Sequence, residues 1–330
     1  MTTIGFFNNK GGVGKTSLVY HVAWMLAEHG IRVIAVDLDP QANLTSAFLD
    51  EARLEEIWAQ DPRPTIHGAV AGLFRGVSDV MPPTVEAIAD SIGLVPGDLA
   101  LSGFEDDLAS AWPLSGDGKE RGFRVMSAFA RAIGMAAEAH GAVVSLIDVG
   151  PNLGSLNRAA LLGCDHVVVP LGADLFSLVG LRNMGPALRD WRRLWAERRQ
   201  RNPDPSIALP RGDMTPIGYV VMRHSVRLDR PVQAYSRWIE RIPSHYAEHV
   251  LGGLTAPPGS SGDDPNRLAQ LKDYRSLMPM AHEARKPMFL LRPADGALGA
   301  HQGAVQDCYR DFSALTDEIL RRCDLPRAQP

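Results

Sequence analysis

Ten residues near the start of the chain, Asn8-Asn-Lys-Gly-Gly-Val-Gly-Lys-Thr-Ser17, restrict its possible folds more than any other stretch. Gly11, Gly12 and Gly14 allow a sharply turning backbone to approach a ligand with no Cβ in the way. Lys15 and Thr16 follow at the spacing of the phosphate-binding lysine and Mg²⁺-binding hydroxyl of a G-x-x-x-x-G-K-[ST] loop. Read strictly, that pattern asks for glycine at position 9, where this chain has Asn9. It carries instead K-G-G-x-G-K-T, with an additional lysine, Lys10, five residues before Lys15. The flanks agree with a phosphate loop. Thr3 to Phe7 is a short β-prone run, and Ser17 to His29 spaces Leu18, Val22, Met25 and Leu26 as a helix does. Such a helix turns its free N-terminal amides and partial positive charge toward an anion. A tight strand–helix turn alone calls for neither two lysines nor a threonine. Gly11, Gly12, Val13, Gly14, Lys15, Thr16 and Ser17 are therefore the expected nucleotide-contacting residues.

Two further apolar runs end in aspartate. Ile31 to Asp37 leads into Leu-Asp39-Pro-Gln-Ala-Asn-Leu-Thr45, and Ala142 to Asp148 leads into Val-Gly-Pro-Asn-Leu-Gly154. Near-continuous apolar strands belong in a parallel sheet covered on both faces. A carboxylate at the end of such a strand, beside a phosphate loop, reaches Mg²⁺ through water. Asp39, directly before Pro40, also fits the N-cap of a helix. Helical spacing is expected over residues 51–60, 65–75, 122–140 and 304–322, and strands over 166–170 and 217–222. Residues 112–122 and 202–216 read as exposed loops and 252–266 as a mobile insertion. Strands alternating with helices predict one α/β domain over residues 1–330, with a mostly parallel twisted sheet and helices on both faces. A ligand is expected at the strand C-terminal ends.

The loop resembles the deviant Walker A of the ParA/MinD family of P-loop ATPases, and the likeness runs through most of the chain. Asp37-Leu-Asp39-Pro-Gln-Ala-Asn-Leu-Thr45 is similar to the family's first switch. Asp148-Val-Gly-Pro-Asn-Leu-Gly154 is similar to its second, with Gly150 in place of the usual first proline. Ile92 to Leu108 resembles the ParA form, in which a strand leads through P-x-x-x-x-L into an acidic helix. The resemblance implies an ATPase that uses ATP and Mg²⁺ and closes as a homodimer around two nucleotides. Lys10 would reach the partner's phosphates, Asp39 would position water, and Thr16, Asp37 and Asp148 would serve the metal, the carboxylates through water. Met222, Arg223 and Pro287 would flank adenine. It implies a cytoplasmic protein, nucleoid-associated when ATP-bound, that binds DNA non-specifically and is stimulated by a ParB-like partner. No helix-turn-helix precedes the loop, and the chain ends without the basic amphipathic membrane helix of MinD-like proteins. Residues 50–90, 112–122, 202–216 and 252–266 are insertions relative to a minimal member.

Net charge is −4, but residues 1–150 hold 10 Lys and Arg against 19 Asp and Glu, whereas residues 151–330 hold 24 against 19. The excess concentrates in two places. One is a helix carrying Arg182, Arg189, Arg192, Arg193, Arg198, Arg199 and Arg201 around the apolar stripe Leu181, Met184, Leu188, Trp191 and Trp195. The other is Arg223, Arg227, Arg230, Arg237 and Arg241, interleaved with Tyr235 and Trp238. Arg189, Arg192, Arg193, Arg199, Arg227 and Arg237 are the candidate DNA contacts, against the plain alternative of a solvated helix face. Three widely spaced cysteines, Cys164, Cys308 and Cys323, form neither a disulfide framework nor a metal knuckle. They also argue against a cluster-bridging electron-transfer ATPase of the same family. No apolar run is long enough to span a bilayer, and a strand starting almost at Met1 leaves no room for a signal peptide. A regulatory or defence switch that recruits an effector through the same ATP-dependent dimer stays open beside the DNA-positioning reading.

Overall fold

β2 (Val33–Asp37) and β5 (Val144–Asp148) are buried at every position, as their nearly continuous apolar sequences, interrupted before the aspartates only by Ser145, require of strands covered on both faces. They lie beside β1 (Thr2–Phe6) at the centre of one sheet of order β3-β4-β2-β5-β1-β6-β7-β8. The remaining strands are β3 (Glu86–Ala89), β4 (Ile92–Val95), β6 (His166–Gly172), β7 (Thr215–Met222) and β8 (Arg267–Leu271). All pairings are parallel except β3 with β4. The computed structural model describes residues 1–222, 232–253, 264–274 and 276–326, apart from the side chains of 232–236 and 300. Arg223, Arg227 and Arg230, the side chain of Tyr235 and most of the 252–266 segment lie outside what is described.

Twelve α-helices cover the two faces among those residues. They are α1 (Lys15–Glu28), α2 (Asn43–Phe48), α3 (Glu51–Trp58), α4 (Ile66–Phe74), α5 (Glu105–Gly116), α6 (Glu120–Met126), α7 (Ala128–His140), α8 (Ser155–Leu162), α9 (Leu175–Arg199), α10 (Val232–His245), α11 (Leu277–Ala284) and α12 (Ala300–Arg322). One apolar layer contains Phe123, Phe129, Leu161 and Trp195 and joins α4 to α9 to the sheet. The other, with Leu18, Met25, Phe312 and Leu315, joins α1, α11 and α12 to it.

Three expectations from the sequence are corrected. Residues 112–122 are helical rather than an exposed loop: α5 runs on through Pro113 to Gly116, and α6 begins at Glu120. A Cβ on Gly122 would lie 2.4 Å from the Ser115 nitrogen, so α5 and α6 meet through that glycine. The helix expected over 122–140 is two helices, α6 and α7, divided at Ser127. The 202–216 segment is anchored, with Ile207 and Met214 buried and the Trp195 indole donating to Pro210 O at 3.0 Å. β3, an antiparallel edge strand, has no counterpart among the expected elements.

His21 ties α1 to the chain near its end. Nδ1 lies 2.7 Å from Ser17 O, which fixes it as the donor, and leaves Nε2 to accept from Met288 N at 3.1 Å. The ring stacks on Phe312 at 4.9 Å. Complete burial pushes the imidazole down to about 4. Between that value and the unfolded value near 6.5, the unfolded chain takes up a proton the folded chain does not. Stability should therefore be lost as pH falls through this window. His21→Gln should be less stable than the parent at pH 7, and the difference should shrink by roughly 3 kcal/mol at pH 4. Urea unfolding of both proteins at the two pH values checks this.

Candidate nucleotide-binding site

The glycine loop leaves β1 and enters α1 with Gly12 at φ 69° and Gly14 at φ 85°, conformations that suit glycine. A Cβ on Gly14 would lie 3.0 Å from Met222 Cε, so the tip of β7 closes against the loop. Asn8 pins the loop's start: its amide donates to Pro170 O at 2.6 Å and its oxygen accepts from Lys10 N at 2.9 Å. Asn9, where the strict motif has glycine, faces α9, and a Cβ on Gly180 would lie 2.8 Å from its side-chain oxygen. Val13 is buried, Thr16 and Ser17 are half-buried, and Gly11 and Gly12 are exposed.

The two lysines have different surroundings. Lys15 is 7% exposed, and its ammonium donates to Lys10 O at 3.3 Å. Burial lowers its pKa, opposed by the charges of Asp148 and Asp39. Lys10 projects outward, and Nζ pairs with Asp174 Oδ2 at 2.5 Å, 5.9 Å from the centre of the Phe176 ring. Asp174 caps α9, accepting from Ser177 N at 2.9 Å. Burial would raise its pKa, but the Lys10 and Ser177 hydrogen bonds outweigh that and hold it low.

Parallel register places Asp37 opposite Asp148 at the ends of β2 and β5. Burial pushes the Asp148 carboxyl up to about 8, with the Asp37 charge adding to it. Both Asp148 oxygens are buried and meet no donor at full hydrogen-bonding distance, although the Thr16 hydroxyl beside them draws the pKa back down. Asp37, pushed up to about 6 by burial, is occupied instead. Its oxygens accept from Thr45 N at 2.8 Å, Thr45 Oγ1 at 2.7 Å and Asp39 N at 3.2 Å. Asp148 is thus the carboxylate with free lone pairs near the Thr16 hydroxyl. Among the described residues no group of three His, Cys, Asp or Glu is placed to hold a metal. An orphaned carboxylate beside one hydroxyl suits Mg²⁺, which keeps several waters and takes further ligands from phosphates. Asp39 is 7% exposed and accepts from Gln41 N at 3.0 Å. It is not a helix cap: α2 starts at Asn43, behind Ala42 at φ 51°.

An open cavity of about 290 Å³ adjoins the loop, lined by Thr16, Ser17, Tyr20, Ser46, Arg285 and Lys286 among others. Neither Met222 nor Pro287, the expected adenine contacts, lines it. Pro287 is buried just before the Met288 amide that His21 holds. The basic residues of α9 are largely tied to this chain's own carbonyls. Arg189 donates to His249 O and Val250 O, Arg192 to Met214 O at 3.1 Å and Arg199 to Arg211 O at 3.2 Å. Arg193 pairs with Asp190 and Glu197. Arg237 and Arg241 are exposed and stack on Trp238, at 5.6 and 5.3 Å. After burial, the charges of Arg241, His249 and Arg182 lower the His245 pKa against that of Glu248, so both arginines bear on the surroundings of His245. Arg182 and Arg241 belong to the two basic runs of the sequence without being among its six candidate DNA residues. Asp174 also escaped that reading, although an Asp three residues before Ser177 is a capping signal.

A family model described as an AAA domain matches residues 1–196. The chromosome partitioning protein ParA of Caulobacter vibrioides is 29% identical over 185 residues, covering 56% of this chain and 61% of that protein. The chain spans about half the length of the curated relatives it matches. A protein of Corynebacterium diphtheriae superposes with TM-score 0.73 at 24% identity, covering 98% of this chain and 99% of the other. A Borrelia burgdorferi protein named for plasmid partition, bound to AMPPNP, superposes with TM-score 0.61 at 17% identity, covering 97% and 99%. The matched model covers more than half of the chain, over the segment that holds the two-lysine loop and both aspartate-ended strands. The chain belongs to the ParA/MinD family of P-loop proteins with a deviant Walker A loop.

Proposed function

We propose that this chain is an ATPase of the ParA type: it closes as a dimer around two ATP molecules, binds DNA without sequence preference, and positions a cargo with a stimulating partner protein. The observation that carries the reading is the pair of lysines around an orphaned carboxylate. Lys15 is buried beside Asp148, whose oxygens have the Thr16 hydroxyl near them and no full hydrogen bond, while Lys10 turns to Asp174. Transfer of a phosphoryl group to water needs neutralisation of charge on the departing phosphate and an aligned water. Lys15 supplies charge from within the loop and Asp39 holds the water. Thr16 and Asp148, the latter through water, would hold Mg²⁺, which supplies further positive charge when bound. Lys10 reaches a partner's phosphates only after leaving Asp174. The exposed side chains of Leu175, Phe176 and Val179 surround that pair and suit an apposed second copy.

For DNA, the exposed cluster Arg182, Arg237 and Arg241 is better placed than Arg189, Arg192, Arg193 and Arg199. Phosphate binding depends on guanidinium groups free to face outward. The tethering of those four residues also favours a second reading, a switch that recruits an effector protein with DNA binding secondary. All three cysteines are buried, which speaks against a cluster-bridging dimer.

Lys15→Ala should weaken ATP binding about 100-fold, or ~2.7 kcal/mol, whereas Lys10→Ala should bind ATP and fail to turn it over. Asp39→Ala should accumulate as an ATP-bound dimer. Fluorescent-nucleotide titration, phosphate release and light scattering test the three together; full turnover by Lys10→Ala would remove the trans role of that lysine.

Asp39→Ala protein should bind two unrelated duplexes with ATP but not ADP, and binding should weaken steeply with salt. Replacing Arg182, Arg237 and Arg241 by Glu should abolish that binding while sparing hydrolysis. Absence of DNA binding in every nucleotide state would favour the effector-recruiting switch.

A further inference from the structure

We propose that Glu105, at the start of α5, is a positioning residue for the loop that follows Asp148; the inference rests on the ATPase reading above. The Glu105 carboxylate reaches across to α8, the helix that begins where this loop ends. Oε1 accepts from Ser155 N and Oε2 accepts from Leu156 N at 3.0 Å. These are first-turn amides with no partner inside their own helix, and a carboxylate there is also favoured by the helix dipole. The fit explains Gly154: a Cβ at that position would lie 2.6 Å from Glu105 Oε1 and 2.9 Å from Asn152 Oδ1. Two turns further along α5, Trp112 makes a second contact. Its ring carries the Arg158 guanidinium of α8 at 4.5 Å and the Arg198 guanidinium of α9 at 3.9 Å.

From α8 the connection runs back into the loop. The buried Asn157 amide donates to Gly150 O at 2.7 Å and to Asn152 O at 2.8 Å, fixing the turn on both sides of Pro151. A Cβ on Gly150 would lie 3.4 Å from Asp39 Oδ1. The wall beside the carboxylate assigned to the attacking water is thus held by Asn157, and Asn157 by a helix whose first turn Glu105 clamps. Gly150 is smaller and freer than the proline usual at this place, so the loop depends more on outside support. Glu105 touches no reacting atom and acts through α8.

The test uses the full chain with Glu105→Ala, Glu105→Gln and, as a control, Asp106→Ala, an exposed neighbour. Steady-state phosphate release, fluorescent-ATP affinity, thermal midpoint and amide exchange of residues 150–157 are measured on each. Glu105→Ala should lower kcat about 10- to 100-fold with KM and ATP affinity within threefold of the parent, and exchange at 150–157 should accelerate. Glu105→Gln, which keeps an accepting oxygen, should fall between them, and Asp106→Ala should match the parent. It also provides a folded variant should the alanine protein not fold. Gly154→Ala should impair the parent protein more than the Glu105→Ala background, where the colliding oxygen is gone. An unchanged kcat, or losses in affinity as large as those in kcat, would overturn the assignment. If the parent hydrolyses no ATP, the ATPase reading itself fails, and unchanged exchange at 150–157 would remove the clamp independently.

Discussion

Lys15, Asp39 and Asp148 are nearly or wholly out of water at the point where β1, β2 and β5 end, and this buried charge is the constraint the remaining structure satisfies. Lys15 has a backbone carbonyl for a partner, and the Asp148 oxygens meet no donor at full hydrogen-bonding distance. Burying charge without complete hydrogen bonding costs stability, and apolar packing of equal volume is often the more stable choice. The sheet holds these groups together because parallel strands bring their carboxyl ends to one edge, with Asp37 and Asp148 in register. The surrounding elements keep that edge open to a ligand. Asn8 ties the loop to β6, Gly180 admits the Asn9 side chain to α9, and Thr45 takes up the lone pairs of Asp37. What is left uncompensated is a cation, a carboxylate and a row of helix amides, a set that a phosphate group with its metal completes.

This edge was legible in the sequence because its chemistry lies in consecutive residues. The glycines, the lysines and the threonine lie within seven residues, and Asp37 and Asp148 each terminate a nearly continuous apolar run. The sheet followed from the same runs. Features set by distant contacts were not legible. The sequence between Trp112 and Gly122 is rich in the residues of exposed loops, yet it is helical because Gly122 lets two backbones meet. Glu105 reads as one more acid in an acidic first turn, and nothing local indicates that its carboxylate caps a helix fifty residues away. The cavity beside the loop, lined by Arg285 and Lys286 among others, was likewise not visible in the sequence, because its walls come from α1, α2 and α11.

The arginines make the same point about charge. Counting shows six on α9, but a guanidinium directed at a carbonyl of its own chain has a different use from one directed at solvent. Arg189, Arg192 and Arg199 brace the segments that follow α9, and Arg198 packs on an indole. Their aliphatic stems and planar heads serve packing as much as electrostatics. Arg182, Arg237 and Arg241 are exposed, whereas Arg193, also exposed, is held by Asp190 and Glu197.

α9 joins these observations into one mechanical element. Its first turn holds Lys10 through Asp174, its second meets the glycine loop at Gly180, and its last turns press Arg198 onto Trp112. At about 1.5 Å per residue its 25 residues extend roughly 37 Å. Trp112 and Glu105 share α5, and Glu105 holds the helix after Asp148. The outward lysine and the second switch are thus both attached to the same pair of packed helices, and they also lie side by side, since a Cβ on Gly11 would be 3.8 Å from Pro151. Packed helices shift between discrete arrangements more readily than they deform. The glycine loop and the helix after Asp148 are therefore linked twice, through the α9–α5 pair at Arg198 and Trp112 and directly where Pro151 lies against Gly11.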